Sequence, residues 1–570
     1  MAKVFREVKA MRKIECDVVV IGGGGAGLRA ALEAQKENSE VIMIQKGKLG
    51  KSGTTACDAS ELAGYAAADG AADPKDNPEV HFEDIMNAAM GTCDKNLVKI
   101  LVEEAPASIE EFRGWGIDFA KDEQGKEIIA RGCFSSRPRN RKIEGHGVPI
   151  SRCLAKKVDD IGVKIYEDSM AIDLVISKKT CVGVIALSAT GEKIFINSRS
   201  TILATGGAGQ LFEPSLVPSD ITGDGYAMGY RAGALLTNME FIQAGFCMVE
   251  PFLNEINTWI WSITPKLLNA EGENFLEKYL PTDITKEDCM LAKTRHFPFS
   301  SCDSSKYLEI ASVKEFIKKR KPLLLDVKKG FKPGAFSNPN DQKMWKITTN
   351  YFLEKGVDLS KEPLKVLVVG GHAINGGLKI DENGCTTLSS LFAVGEAAAG
   401  PYGADRLGGN MLLACQIFGK RAGQAAAKHA HNMNIIKPSN DELDECFAVL
   451  NQFKSSNRTG DIKLLLKELK EASLFLLVNR NEKGLTKLID KIAILRNKFF
   501  SLKYSNEDLR VAMEFRNLLD TAEIMATSAL YRKESRGSHY REDYPASNLK
   551  YEGQLGISKN LKVDLIKMKN

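Results

Sequence analysis

What this chain lacks narrows its chemistry first. Its twelve cysteines are scattered from Cys16 to Cys446 with no CxxC pair. That excludes a zinc site or an iron–sulfur cluster held by this chain alone and leaves the thiols as small buried hydrophobes. No run approaches the roughly 18 consecutive apolar residues of a membrane helix, so direct membrane insertion is not expected. The amino terminus, from Met1 to Arg6, is charged and carries no hydrophobic signal region, which makes a cytoplasmic protein the simplest expectation. Charge of one sign is missing too. The 78 Lys and Arg against 73 Asp and Glu leave +5 on 570 residues, too little and too dispersed for a nucleic-acid footprint. The one basic cluster, Lys318 to Lys321, reads as a solvated helix end. No internal repeat is evident.

What is present begins with glycine. Asp17-Val18-Val19-Val20-Ile21 is a short, β-branched apolar run, the mark of a strand buried on both faces of a parallel sheet. Gly22, Gly24 and Gly27 follow with GxGxxG spacing, Gly25 and Ala26 lie between them, and Leu28 to Gln35 reads as a helix. Gly22 permits a tight turn, Gly24 the close approach of a pyrophosphate, and Gly27 the packing of helix on strand. The phosphates then meet the helix N-terminus. A second strand, Val41 to Ile44, ends at Gln45-Lys46, where an acid is expected for ribose hydroxyls but Gln45 can hydrogen-bond them instead.

A second signature lies far downstream: Leu391-Phe392-Ala393-Val394-Gly395-Glu396, then Tyr402 to Asn410 with Gly403, Asp405, Arg406, Gly408 and Gly409. The pair indicates a nucleotide domain that is interrupted by a long insertion and then resumed. Ser52-Gly53-Thr54-Thr55 opens a hydroxyl-rich segment running to Gly64. Ala105-Pro106-Ala107-Ser108 reads as a helix start, Val163 to Ile176 and Val182 to Leu187 as strands of a meander, and Ser200 to Gly207 as a strand-to-turn element. From Gln243 to Val368 the glycine motifs vanish, as in an inserted domain, and the chain beyond His429 is strongly helical in pattern. The expected division is a first nucleotide-domain part over 1–242, a capping domain over 243–368, a second part over 369–430 and a helical domain over 431–570. A chain of this length needs roughly two to four cores.

These elements together resemble the flavoprotein subunits of the succinate dehydrogenase and fumarate reductase superfamily, which includes L-aspartate oxidase. The matching pieces run in order from Gly22–Gly27 through Ser52-Gly53-Thr54, Glu104 to Ser108, Ala204-Thr205-Gly206-Gly207, Thr222-Gly223-Asp224-Gly225 and Glu271 to Phe275. They continue through His372 to Gly377, Gly395-Glu396 to Asn410, and Tyr531 to His539. The resemblance implies an α/β fold: a Rossmann-like FAD-binding domain with an inserted α+β capping domain and a C-terminal helical domain. It places the FAD pyrophosphate on Gly22, Gly24 and Gly27, the adenosine ribose near Gln45 and Lys46, and the flavin near Ser52, Gly53, Thr54, Thr205, Gly206 and Asp224. Glu396 would bond ribityl or ribose hydroxyls. The backbone of Asn410-Met411-Leu412 would face the flavin's pyrimidine edge, where a helix N-terminus stabilises negative charge on the reduced ring.

The departures from the family pattern bear on function. Gly53 stands where the covalent-flavin enzymes carry a histidine, so FAD is expected to be non-covalent. The family's "QFHPTG" element is replaced by Gln243 to Met248, which removes one carboxylate-binding histidine, and the family's proton-donating arginine falls on Glu287. His372 and Arg406 match the remaining carboxylate-holding pair. Arg295 and His296 are candidates for the missing acid, with a surface ion pair as the alternative for Arg295. Trp259 and Trp261 read either as an aromatic wall or as capping-domain core, and His146 as a flavin neighbour or a structural hydrogen-bonding group. The expected function is hydride transfer between FAD and the activated C=C or CH–CH group of a small carboxylate or thioester substrate other than ordinary fumarate or succinate. The alternatives are an electron-transferring subunit beside an iron–sulfur or ferredoxin-type partner, and an adenylylsulfate-reductase-like flavoprotein. No metal is expected.

Overall fold

The β-branched run forms the inner half of a strand, Arg12–Ile21, whose residues Val18 to Ile21 are buried on both faces. It pairs in parallel with Val41–Ile44 on one side and along its length with Lys193–Leu203 on the other. Lys164–Tyr166 extends the sheet beyond Val41–Ile44 and takes no part in the meander. The free side of Lys193–Leu203 is divided. Its first half pairs antiparallel with Thr180–Leu187, which in turn pairs with Met170–Ser177. Its second half pairs in parallel with Leu391–Ala393. The late glycine signature thus re-enters the first sheet beside the strand that delivers Ala204 and Thr205. The computed structural model of the chain describes residues 11–57, 62–455, 460–504 and 508–568; the charged amino terminus and part of the hydroxyl-rich stretch before Gly64 lie outside them.

Two helices seal this junction. Gly25–Lys36 follows the first glycine motif and Asn410–His431 follows the second. They cross at backbone contact: a Cβ on Gly423 would lie 2.3 Å from Ala30 O, and one on Gly419 would lie 2.9 Å from Ala26 O. Glycine at both positions is what lets the two nucleotide-facing helix ends stand side by side.

Between the two halves, a five-stranded antiparallel sheet runs in the order Asn254–Glu255, Ile242–Glu250, Leu364–Ile374, Leu323–Asp326, Lys266–Leu268. With the helices Lys286–Lys293, Lys306–Lys319 and Pro339–Glu354 it encloses a core of its own, built on Phe246, Trp261 and Trp345. The strand Leu364–Ile374 carries His372 and crosses the expected boundary between 368 and 369.

Pro106 does not begin a helix; it lies inside Lys95–Gly114, whose start is capped by the Asp94 carboxylate accepting from Asn96 N at 2.9 Å. The cap outweighs the local proline signal, and the surrounding packing tolerates the lost backbone bond. The C-terminal region is mainly helical, as expected, and ends in a short strand pair. After Ile462–Ser473, Glu482–Phe500 and Leu509–Tyr531 come two short strands, Gln554–Ser558 and Lys562–Ile566, which join Leu236–Thr237 and Gly377–Lys379 in another sheet. Five-residue strands are defined by their partners and carry almost no periodic signal. Before them, buried Arg532 donates to Glu240 and Glu534, each at 2.7 Å, and ties the chain end to the nucleotide domain.

Candidate active site

The strand ends and glycine turns open onto one cavity of about 880 Å³, within the range of a cofactor-and-substrate site. At its nucleotide end Gly22 has φ +109°, and a Cβ there would lie 2.2 Å from Ala204 O. Gly27 does not line the cavity; its Cβ would strike Gly22 O at 1.9 Å, so this glycine serves helix-on-turn packing. Gly24, by contrast, faces open space, with nothing within 4 Å of a Cβ built on it. It is the N-cap of Gly25–Lys36 and offers no side chain to that helix end. An anion at this point would meet unpaired N–H groups and the positive end of the dipole. Thr55, to which no motif gives a role, takes one of them: Gly25 N donates to its Oγ1 at 3.1 Å.

Buried polar atoms along the same wall lack partners within the protein. They include both amide atoms of Gln45, Thr54 Oγ1 and Thr205 Oγ1. Leaving such atoms unpaired costs about 1–3 kcal/mol each, so the wall is built for a polar guest. Half-buried Glu396 accepts from Ile374 N at 2.8 Å. Burial pushes its carboxyl above the ordinary range, against the pull of that N–H, which suits a group that bonds hydroxyls. Gly409, with φ +85°, caps Asn410–His431 without a side-chain bond, and Gly409, Met411 and Leu412 line the cavity. Asn410 itself turns away, its Oδ1 3.0 Å from His81 Nε2; burial lowers the His81 value to about 3, so the ring is neutral and donates to that oxygen. Ser52, Gly53, Gly206 and Gly25 also line the wall, and Gly53 presents no nucleophile. A dinucleotide with two phosphates, hydroxylated ribityl and ribose parts and an electron-accepting ring fits this donor set.

Lys46 and Asp224 are placed differently from expectation. Both border the cavity, but Lys46 Nζ is held by Thr222 at 2.7 Å, Asp224 at 2.9 Å and Glu514 at 3.0 Å. Burial disfavours the ammonium charge, yet the two carboxylates overcome it and raise its value. Asp224 is further bonded by Thr222 and Asn517. The pair neutralise each other and anchor the helix Leu509–Tyr531.

The other end of the cavity holds a chain of hydrogen-bonded polar groups. His372 Nδ1 lies 2.9 Å from Glu255 Oε1, and Arg406 Nη2 lies 3.3 Å from His372 Nε2. Arg406 also donates through Nε to Gln243 Oε1 at 3.2 Å and through Nη1 to Leu407 O at 3.1 Å. Of the five guanidinium N–H donors, three are thereby engaged and two remain for an incoming carboxylate. Burial would raise the Glu255 carboxyl, but His372, His146 and Arg406 together more than offset it and hold it low. Glu255 is therefore a charged neighbour that fixes His372 with its proton on Nδ1. It sits on a two-residue strand, where no motif marks it.

Gly245, third in the Gln243-to-Met248 segment that stands for the family's QFHPTG element, has no room for a side chain. A Cβ on Gly245 would fall 2.7 Å from Cζ of Phe297, whose ring meets His372 edge-on at 5.0 Å. Arg295 is exposed at the cavity wall, whereas Glu287 is exposed in the first turn of Lys286–Lys293 and does not line it. His296 is turned to Pro298 O and Asp303 and borders the adjoining cleft. Trp259 lines the cavity with its Nε1 donating to Thr348, while Trp261 is buried in the capping core. His146 lines the cavity. Among the described residues, no group of His, Cys, Asp and Glu is arranged to hold a metal ion, and no helix is long and apolar enough to cross a membrane.

Residues 17–412 match the family model for an FAD binding domain, and residues 473–553 match that for the fumarate reductase flavoprotein C-terminus. The chain is 30% identical over 577 residues to a subunit of the CoM/CoB fumarate reductase of Methanothermobacter marburgensis, covering 97% of this chain and 98% of that protein. It is 30% identical over 558 residues to L-aspartate oxidase 1 of Ralstonia nicotianae, covering 93% and 95%. Mycobacterium smegmatis Sdh1, solved in complex with UQ1, superposes with a TM-score of 0.83 at 25% identity over 98% of this chain and 95% of that one. The glycine cradle, the half-kept carboxylate site and these matches along the whole chain lead to one assignment: this is an FAD-dependent oxidoreductase belonging to the family of fumarate reductase and succinate dehydrogenase flavoproteins and L-aspartate oxidases.

Proposed function

We propose that this flavoprotein reduces the activated C=C bond of a carboxylate or thioester substrate that is not ordinary fumarate, with the reverse CH–CH oxidation disfavoured. The observation that carries the reading is the Glu255–His372–Arg406 chain beside a filled histidine position: one carboxylate-binding arm is intact and the other is closed by Phe297. FAD supplies hydride chemistry when bound. The chain's own residues orient the substrate. Arg406 offers two free N–H donors to a carboxylate or thioester carbonyl, and Glu255 keeps His372 fixed as its support. Arg295, exposed at the wall of the same cavity, is the side chain placed to hand a proton to the carbon that receives no hydride.

Gly53 supports the reductive direction, since a flavin without a histidyl bond has a lower potential. The division into a resumed nucleotide domain and an insertion, with the substrate between them, belongs to the same proposal. The test uses flavin reduced with a viologen dye and mixed with fumarate, crotonate and short enoyl thioesters. Reoxidation by an enoate or enoyl thioester and not by fumarate is expected; rapid reoxidation by fumarate alone overturns the reading.

A second reading, an electron-transferring subunit beside an iron–sulfur partner, is favoured by the absence of clustered cysteines in the sequence together with a relative named as a subunit. Rapid reoxidation of the reduced flavin by a ferredoxin, with no response to any of the acids or thioesters, would select it.

A further inference from the structure

With Phe297 against Gly245, a short diacid has no second arm to hold it, yet the wall of the same cavity carries a cation without an assigned role. Arg131 ends the short strand Ile129–Arg131 and is exposed on the cavity wall. The three residues after it fix its place beside the flavin turn. A Cβ on Gly132 would lie 3.0 Å from Gly408 O, and Cys133 O accepts from Gly408 N at 3.1 Å. Cys133 Sγ accepts from Phe297 N at 3.2 Å, and Phe134 N donates to Arg295 O at 3.4 Å. Arg131 is tied in this way both to the turn that follows Arg406 and to the segment that carries Arg295 and Phe297.

Arg131 and Arg295 each border the main cavity and a neighbouring cleft of about 320 Å³, so they stand in the wall that the two share. Neither has a carboxylate within ion-pair distance among the described residues. Most acids nearby are answered from elsewhere, among them Asp84 by Arg139 at 2.8 Å and Asp303 by His296 at 3.1 Å in the adjoining cleft. Glu127 is paired with Arg113 at 2.7 Å and Arg141 at 3.1 Å, and Asp122 with Lys343 at 3.1 Å. Asp341, at the start of the capping helix Pro339–Glu354, is the acid on which Arg131 acts; burial raises its carboxyl, and the Ser262 hydroxyl and, less, Arg131 only partly counter that. Arg131 and Arg295 are thus exposed cations at the cavity wall with no direct carboxylate partner, which favours an anion there.

We propose that Arg131 binds a second anionic group of the substrate, one set farther from the first carboxylate than in fumarate or succinate. The substrate class is an elongated diacid, or a carboxylate or thioester bearing a distal acidic group. The inference rests on the reading of His372 and Arg406 as the site of the first carboxylate.

The test is titration of the FAD-loaded full chain by flavin difference absorbance, with butyrate, succinate, glutarate and adipate as probes. Wild type, Arg131→Gln, Arg131→Lys and Arg406→Ala are compared, each normalised to bound flavin. Wild type should bind glutarate or adipate more tightly than succinate and butyrate. Arg131→Gln should lose that advantage by roughly tenfold or more, the size of a charge-assisted contact, while its butyrate affinity stays unchanged and Arg131→Lys keeps part of the gain. Equal affinities in wild type and Arg131→Gln for every acid overturn the proposal, as does a loss for butyrate as large as that for adipate. Arg406→Ala separates the two readings: undiminished butyrate binding in that variant sinks the first-carboxylate site, whereas the ratio of adipate to butyrate affinity still reports on Arg131.

Discussion

Phe297 fills the volume that any side chain at Gly245 would need, its ring 2.7 Å from where a Cβ would stand. The two positions are physically one choice: a glycine with an aromatic neighbour, or a larger residue with that neighbour removed. Gly245→His alone should destabilise the fold by about 1–3 kcal/mol through overpacking. Combined with Phe297→Ala it should cost less than the sum of the single changes, with a coupling of at least about 1 kcal/mol. Denaturant unfolding of the four proteins checks this; additive effects would mean that the ring moves aside freely.

The flavin should come off intact. Gly53 lines the cavity with no nucleophile, so acid precipitation should leave all the yellow chromophore in the supernatant. Fluorescence that stays with the polypeptide on a denaturing gel would contradict it.

Arg406→Ala should abolish turnover and keep FAD, because its contacts run to Gln243, Leu407 and His372 and none supports the nucleotide end of the cavity. A lost charge-assisted contact of about 2–5 kcal/mol corresponds to roughly 30- to 5000-fold in kcat/KM. Glu255→Gln, which loosens His372 without removing a substrate contact, should cost less, on the order of tenfold. Equal losses in the two variants would show that Glu255 does more than position the ring.

Stability should depend on pH through Asp405. Burial is the main cause of a carboxyl raised to about 7, against the hydrogen bond that Ser300 Oγ donates to it at 2.6 Å. Here the folded value lies above the unfolded one, so the folded state binds the extra proton. The group begins to oppose folding above its ordinary value near 4, and the cost grows until about pH 7. Asp405→Asn should therefore match wild type near pH 4 and exceed it at pH 7–8 by on the order of 1–3 kcal/mol. A melting-temperature difference that stays flat from pH 5 to 8 would rule this out.

The ion network at Lys46 should be structural. Lys46→Met leaves Asp224 and Glu514 without their shared cation and should destabilise the chain by about 3–5 kcal/mol. A loss of FAD affinity with unchanged thermal stability would return Lys46 to the cofactor.

The nucleotide half of the site was legible in the linear chain because its physics is local. A strand, a turn that only glycine can make and a helix N-terminus must be adjacent in sequence, so Gly22, Gly24 and Gly27 announce themselves, as does the capless turn before Met411. Gly53 likewise declares by its own lack of a side chain what it cannot bond. The substrate half was legible only where residues share a motif, as His372 and Arg406 do with their glycine-rich neighbours. Glu255 on a two-residue strand, Phe297 against Gly245, and the segment after Arg131 against Gly408 are brought together by antiparallel pairing and by contacts between stretches far apart in the chain. The direction of Lys46 was settled in the same way, by Glu514 arriving on a distant helix. Charge pairing and steric exclusion act across space with no fixed spacing along the chain. Sequence therefore determined the cofactor's cradle, and only the tertiary structure decided what stands where the second carboxylate would go.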